Sequence, residues 1–198
     1  MIVHRSPTSK SEIRKQILSR REALGAAQRA SLSKTITARL LALPSYESAH
    51  CVMAYMSIGS EFDTAAFVSD LQARGKTLVL PRAPRGSRAL ELYFVRDLER
   101  DLAAGVWGIR EPRPGICRAA QLDEIDFVLV PGVAFTARCE RLGYGGGFYD
   151  ELIARFSRRP PLVTAAFALQ IVPELPLSER DQSVDIVITE DASYQRNG

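Results

Sequence analysis

The chain has 198 residues, a net charge of +3, and 46% hydrophobic and 25% charged residues. That balance suits one globular domain with a buried core, expected over residues 9–198 behind a flexible tail at 1–8. Three partner classes are disfavoured: no basic tract interleaves with aromatics as in nucleic-acid binders, no apolar run reaches the length of a membrane span, and Met1 to Pro7 lack the apolar core of a signal peptide.

Ser9 followed by Glu12 is a capping box, and the helix it opens is expected to run to about Leu24 with Ile13, Ile17 and Leu24 on its apolar side. Lys10, Arg14 and Arg21 share a second stripe of that helix. The stripe is either a solvated face or a row of cations turned towards a polyphosphate. A second helix is expected from Ala26 to Leu43, stopped by Pro44.

The first strand is predicted over Cys51–Met56, followed by Ser57-Ile-Gly-Ser-Glu61 and a helix from Ala65 to Arg74 capped by Asp63 or Thr64. Glu61 then lies at a strand's carboxyl end, the edge where open α/β sheets bind ligands. Further strands are predicted at Thr77–Leu80 and Leu90–Val95. Val106–Pro112 reads as a loop carrying the only tryptophan, Trp107.

Asp126–Pro131 reads as a buried strand, and after it comes Arg141-Leu-Gly-Tyr-Gly-Gly-Gly-Phe-Tyr-Asp150, with four glycines in five positions. A helix from Phe148 to Phe156 follows. Glycines ahead of a helix let backbone N–H groups approach an anion. Arg141 could hold a phosphate oxygen and Asp150 a divalent cation. The plainer alternative is a turn whose first-turn carboxylate only favours the helix dipole. Leu162–Phe167 and Asp185–Thr189 complete the predicted strands, the latter as the last. Strands alternating with helices imply a three-layer α/β/α fold, with a mainly parallel, doubly wound sheet behind N-terminal helices.

The two histidines, His4 and His50, leave little for a Ser-His-Asp or Cys-His triad or a histidine zinc site. Hard oxygen ligands suit magnesium better. Cys51, Cys117 and Cys139 lack C-x-x-C spacing and are expected to be free thiols in a reducing cytoplasm.

The glycine segment, together with Leu129-Val-Pro-Gly-Val-Ala-Phe135 ahead of it, resembles the signature of 5-formyltetrahydrofolate cyclo-ligases (5,10-methenyltetrahydrofolate synthetases). The resemblance extends through Lys10-Ser-Glu-Ile-Arg14, Tyr55-Met-Ser-Ile-Gly-Ser-Glu61, Gly108-Ile-Arg-Glu-Pro112 and Val184-Asp-Ile-Val-Ile-Thr189. It implies ATP-dependent cyclisation of 5-formyltetrahydrofolate to 5,10-methenyltetrahydrofolate by a cytoplasmic monomer or weak homodimer. Its partners would be small molecules, with no nucleic acid and no membrane.

By that resemblance Lys10, Arg14 and the loop residues Arg141, Leu142, Gly143, Tyr144, Gly145, Gly146, Gly147, Phe148 and Tyr149 hold ATP, with Arg141 and Lys10 as catalytic cations. Met56, Glu61, Trp107 and Tyr149 contact the folate. Asp150 and Asp185 hold magnesium. Arg21 joins the cation row by helical geometry alone.

Several positions depart from the pattern. Ser57 replaces a common proline, which is expected to loosen the turn before Glu61. Cys139-Glu140 replaces a glycine-containing turn, Gly146 stands where some members carry lysine, and Glu151 stands where a basic residue is common. Two rival functions are a sugar-phosphate isomerase or CoA-transferase-like enzyme, by fold analogy, and a non-catalytic folate- or nucleotide-binding module.

Overall fold

A computed structural model describes residues 9–105 and 108–196. The capping box forms as the sequence suggests. The Ser9 hydroxyl accepts the Glu12 N–H, and the Glu12 carboxylate accepts the Ser9 N–H at 2.8 Å, opening α1 (Lys10–Glu22). Helix α2 (Ala26–Leu41) ends short of Leu43. The residue before a proline is driven out of the helical region, and Leu43 is extended, so Pro44 also opens α3 (Pro44–Glu47).

Seven strands form the central sheet: β1 (Cys51–Met53), β2 (Thr77–Arg82), β3 (Glu91–Val95), β6 (Phe127–Leu129), β9 (Leu162–Ala165), β10 (Ile186–Ile188) and β11 (Ser193–Gln195). Their spatial order is β11-β10-β9-β6-β1-β2-β3. The inner pairings are parallel, and β3 and β11 add antiparallel edges. The Asp185–Thr189 strand is therefore not the last, because β11 returns against it. Two small hairpins lie outside the sheet: β4 (Leu102–Ala104) with β5 (Arg110–Pro112), and β7 (Ala134–Phe135) with β8 (Arg141–Leu142). The segment expected as a loop up to Pro112 thus ends in a strand. Val106, Trp107 and the tail at 1–8 lie outside the described residues.

Side-chain alternation divides the sheet into two dry faces. Val52, Leu78, Leu80 and Leu129 pack under α2, α3 and α4 (Ala65–Ala73), where Tyr46, Phe67 and Phe127 cluster. Met53, Val79, Val128 and Val187 face the other way, against Leu152 and Ile153 of α6 (Phe148–Ala154). Helix α1 belongs to neither layer: Ile13 and Ile17 pack on Val133, Ala134 and Leu142 of the β7–β8 hairpin. This perch places the basic stripe of α1 over the glycine loop.

At the amino edge of the parallel strands, aspartates serve the backbone. Asp126 accepts the His50 and Cys51 N–H groups, and Asp185 accepts the Leu162 N–H at 2.8 Å. Asp101, in α5 (Leu98–Asp101), accepts the Arg96 and Asp97 N–H groups and the Arg100 guanidinium. Those bonds, Arg100 foremost, hold its carboxyl down at about 2. All three cysteines are buried and unpaired. Among the described residues no helix is long and apolar enough to cross a membrane.

Candidate functional site

The chain runs from β1 to β2 on one side and returns through β6 on the other, so strand order reverses between β1 and β6. Such a reversal leaves a crevice at the carboxyl ends of the strands. A cleft of about 670 Å³ lies there, with Tyr55 and Met56 after β1, Leu80 and Pro81 of β2, and Pro131 after β6 on its walls.

The glycine loop forms the second wall. It leaves β8 and enters α6 through Gly147, whose φ of +73° is costly for any residue with a Cβ. Gly143 is needed for proximity, since a Cβ there would stand 2.9 Å from the Arg141 guanidinium. The N–H groups of Tyr144, Gly145, Gly146 and Gly147 donate to no acceptor among the described residues. Consecutive unsatisfied donors along one wall of a cleft are suited to an anion.

Arg141 anchors the loop from beneath. Its buried guanidinium donates from Nη2 to Asp150 Oδ1 at 2.6 Å, from Nη1 to the Pro131 carbonyl at 3.2 Å and from Nε to the Gln182 carbonyl at 3.3 Å. Three of its N–H groups are thereby committed, so it is a strut as well as a positive charge. Asp150 Oδ1 also accepts the Gln182 N–H at 2.9 Å, while Oδ2 accepts no hydrogen bond among the described residues. Phe148, Tyr149 and Asp150 line the cleft beside the loop.

Glu61 closes the third side. Its Oε2 accepts the Ile58 N–H at 2.9 Å, and its Oε1 accepts the Tyr144 hydroxyl in a short contact. Burial pushes its carboxyl above the usual range, against the opposing effects of those two bonds and the Arg21 charge. Burial likewise raises the Tyr55, Tyr144 and Tyr149 phenols, and the Glu61 charge adds to each. The turn ahead of Glu61 is not loosened by Ser57. The Ser57 N–H donates to the Thr64 hydroxyl at 3.1 Å and the Thr64 N–H donates back to the Ser57 hydroxyl at 3.3 Å.

The basic stripe is neither solvated nor uniformly exposed to a phosphate. Arg14 Nε donates to the Gly143 carbonyl at 2.8 Å and lies against Gly145. Lys10 pairs with Asp181 at 2.5 Å and does not line the cleft. Burial would raise the Asp181 carboxyl, but hydrogen bonds from Lys10 and Ser178 outweigh it and hold it low. Arg21 is buried against Ser60 and Tyr144. Asp185 is not brought to Asp150; it sits at the start of β10, bonded to Leu162 and Arg159, and does not line the cleft. Among the described residues no cluster of three His, Cys, Asp or Glu side chains forms a ready metal cage.

Sequence reasoning singled out neither Tyr55, Pro131 nor Glu111 as a site residue. Tyr55 and Pro131 each follow a buried strand end, a signal that could have been used. Glu111 stands in the Gly108–Pro112 segment of the resemblance, but its bond to the Ala83 N–H, across 28 residues at 3.1 Å, follows no local pattern. Trp107 lies outside the described residues, although its neighbours Ile109, Arg110 and Glu111 line the cleft.

The 5-formyltetrahydrofolate cyclo-ligase family model matches residues 6–190. Relatives named 5-formyltetrahydrofolate cyclo-ligase include a mouse protein, 28% identical and covering 93% of this chain and 95% of its own length. Another, from Escherichia coli K12, is 29% identical, covering 87% and 96%. The solved structure of an Aquifex aeolicus 5,10-methenyltetrahydrofolate synthetase superposes with a TM-score of 0.82 at 33% identity, covering 96% of this chain and 94% of that one. The family match spans the strands from β1 to β10 and the glycine loop, and it shows that the chain belongs to the 5-formyltetrahydrofolate cyclo-ligase family.

Proposed function

We propose that the protein uses ATP to convert 5-formyltetrahydrofolate to 5,10-methenyltetrahydrofolate, releasing ADP and phosphate. One observation supports this reading beyond family membership: the glycine loop, whose amides find no acceptor among the described residues, and the Glu61 carboxylate line the same cleft. The first suits a polyphosphate. The second suits the amino and ring N–H donors of a pterin, which a carboxylate can accept in pairs.

A formamide oxygen is a poor leaving group, and phosphorylation improves it. The formyl oxygen attacks the γ-phosphorus and the bond to ADP breaks. The N10 lone pair then bonds to the formyl carbon, the carbon–oxygen bond breaks, phosphate departs and N10 loses its proton. Such a transfer needs positioning and charge neutralisation more than covalent help, which agrees with a cleft that no histidine lines among the described residues. The amides from Tyr144 to Gly147 hold the phosphates, Arg14 and Arg141 fix the loop and supply positive charge, and Glu61 orients the pterin. Lys10 acts on the phosphates once released from Asp181. Met56 and Tyr149 pack on the folate, and Trp107 belongs with them by resemblance.

The Oδ2 of Asp150, which accepts no bond among the described residues, fits magnesium held by one carboxylate together with substrate phosphates and water. Magnesium would supply neutralisation of phosphate charge. Asp185 stands outside the cleft, so Asp150 is the ligand proposed. The test is appearance of methenyltetrahydrofolate absorbance with and without Mg-ATP. Product only with Mg-ATP supports the reading. ATP binding without product overturns it in favour of a binding module, and product formed equally well without ATP removes ATP from the reaction.

A further inference from the structure

The cation row of α1 contains one member that phosphate binding does not absorb. Arg21 is only 3% exposed, although it sits on the first helix of the chain. A buried guanidinium is costly unless its donors are satisfied. Here Nε donates to the Ser60 hydroxyl at 3.0 Å, and Nη2 donates to the Tyr144 hydroxyl at 2.8 Å. The same guanidinium lies 5.8 Å from the centre of the Tyr144 ring.

These contacts fix the direction of the Tyr144 hydroxyl hydrogen. A guanidinium can only donate. The Tyr144 oxygen therefore accepts from Arg21, and its own hydrogen is turned to Glu61 Oε1. Ser60, the other partner, directly precedes Glu61 in sequence. Arg21 thus grips the folate-facing carboxylate from two sides, through its backbone neighbour and through the phenol. Each Glu61 oxygen then makes one internal bond and keeps another acceptor site for a ligand.

We infer that Arg21 is a positioning residue for folate recognition, acting through Tyr144 and Ser60 to aim the Glu61 carboxylate into the cleft, and that it is not a phosphate ligand. The inference rests on the proposed role of Glu61. It also makes Tyr144, a member of the phosphate-binding loop, a specificity element of the other substrate site. The charged and titratable groups around Glu61 are Arg21 from α1, Tyr55 from the end of β1, Tyr144 from the glycine loop and Tyr149 from α6.

The experiment is steady-state kinetics of the full chain, with KM measured separately for 5-formyltetrahydrofolate and Mg-ATP. Arg21→Gln and Tyr144→Phe should each raise the folate KM about tenfold, as expected for a lost bond in a charged network, while the Mg-ATP KM stays within about twofold. The double variant should be no worse than the poorer single one, because both cut one relay. Glu61 must be ionised to accept pterin N–H groups. Loss of the Arg21 charge should therefore move the acid limb of kcat/KM for folate to higher pH in Arg21→Gln and leave it in place in Arg21→Lys.

An unchanged ratio of the two KM values with an unmoved acid limb would make Arg21 a structural tie and overturn the inference. A rise confined to the Mg-ATP KM would return it to the phosphate side. If Arg21→Gln does not fold, Tyr144→Phe decides alone, since that side chain is 45% exposed and its loss of one hydroxyl is tolerable. Glu61→Gln separates the two levels: no effect on the folate KM sinks the reading of Glu61, whereas an effect there without one at Arg21 or Tyr144 sinks only the inference.

Discussion

The two edges of the central sheet carry the same acidic side chains and use them in opposite ways. At the amino edge, Asp101, Asp126 and Asp185 hold backbone N–H groups of neighbouring segments. At the carboxyl edge, Asp150 keeps one oxygen without a bond among the described residues, and Glu61 makes only one such bond with each of its oxygens. The residue type does not distinguish a functional carboxylate from a structural one here. What distinguishes it is the acceptor capacity that the fold leaves over, and the presence of a cleft to offer it to.

The largest test of that contrast is Asp150→Asn against Asp185→Asn. Asp150→Asn should lower kcat by about 100-fold or more, the scale seen when charge stabilisation of a transition state is removed, with Mg-ATP turnover as the readout. Asp185→Asn should act on stability, by about 1 kcal/mol for weakened backbone bonds, and leave turnover of the folded protein near wild type. Lost turnover with an unchanged Tm in Asp185→Asn would break the contrast and make that residue a second metal ligand.

Gly143→Ala should come next. Its Cβ would displace the Arg141 guanidinium, and a misplaced loop should raise the Mg-ATP KM about tenfold, on the scale of a lost bond to a charged group. If the KM is unmoved, the loop is not where the phosphates lie.

A third test uses acid. The Asp101 carboxyl is depressed to about 2, first by Arg100 and then by backbone bonds. A depressed carboxyl contributes stability that is complete above its unfolded value and is lost as pH falls through the folded one. Unfolding free energy should therefore decline between pH 4 and about 2, and Asp101→Asn should flatten that decline. An unchanged slope in the variant would remove Asp101 from the structural set.

The smallest effect is expected at Cys139. Its φ of 63° is the left-handed region that favours glycine. Cys139→Gly relieves that strain and loses a small buried side chain, and the two should nearly cancel, to within about 1 kcal/mol in chemical denaturation. A larger loss would show that the thiol's contact with the Tyr194 carbonyl matters more than its size suggests.

Local chemistry was legible in the sequence, and long-range pairing was not. The Ser9–Glu12 box, the buried strands and the glycine loop depend on residues a few positions apart, and each appears close to where its pattern predicts. The β7–β8 hairpin escaped notice because two-residue strands have no period to detect. β11 was missed for a similar reason, since its Ser193–Gln195 segment is short and lies at the sheet edge. The role of Arg21 was hidden differently. Helical spacing placed it correctly on the stripe with Lys10 and Arg14, but only the packing of α1 on the hairpin decides which partner each cation meets.

That perch of α1 also ties distant parts of the chain together: Arg14 bonds to Gly143 across 129 residues, and Lys10 pairs with Asp181 across 171. Contacts so distant in sequence raise the contact order of the fold and slow its formation. The proposed phosphate-gripping wall is complete only when segments from far apart in the chain have met.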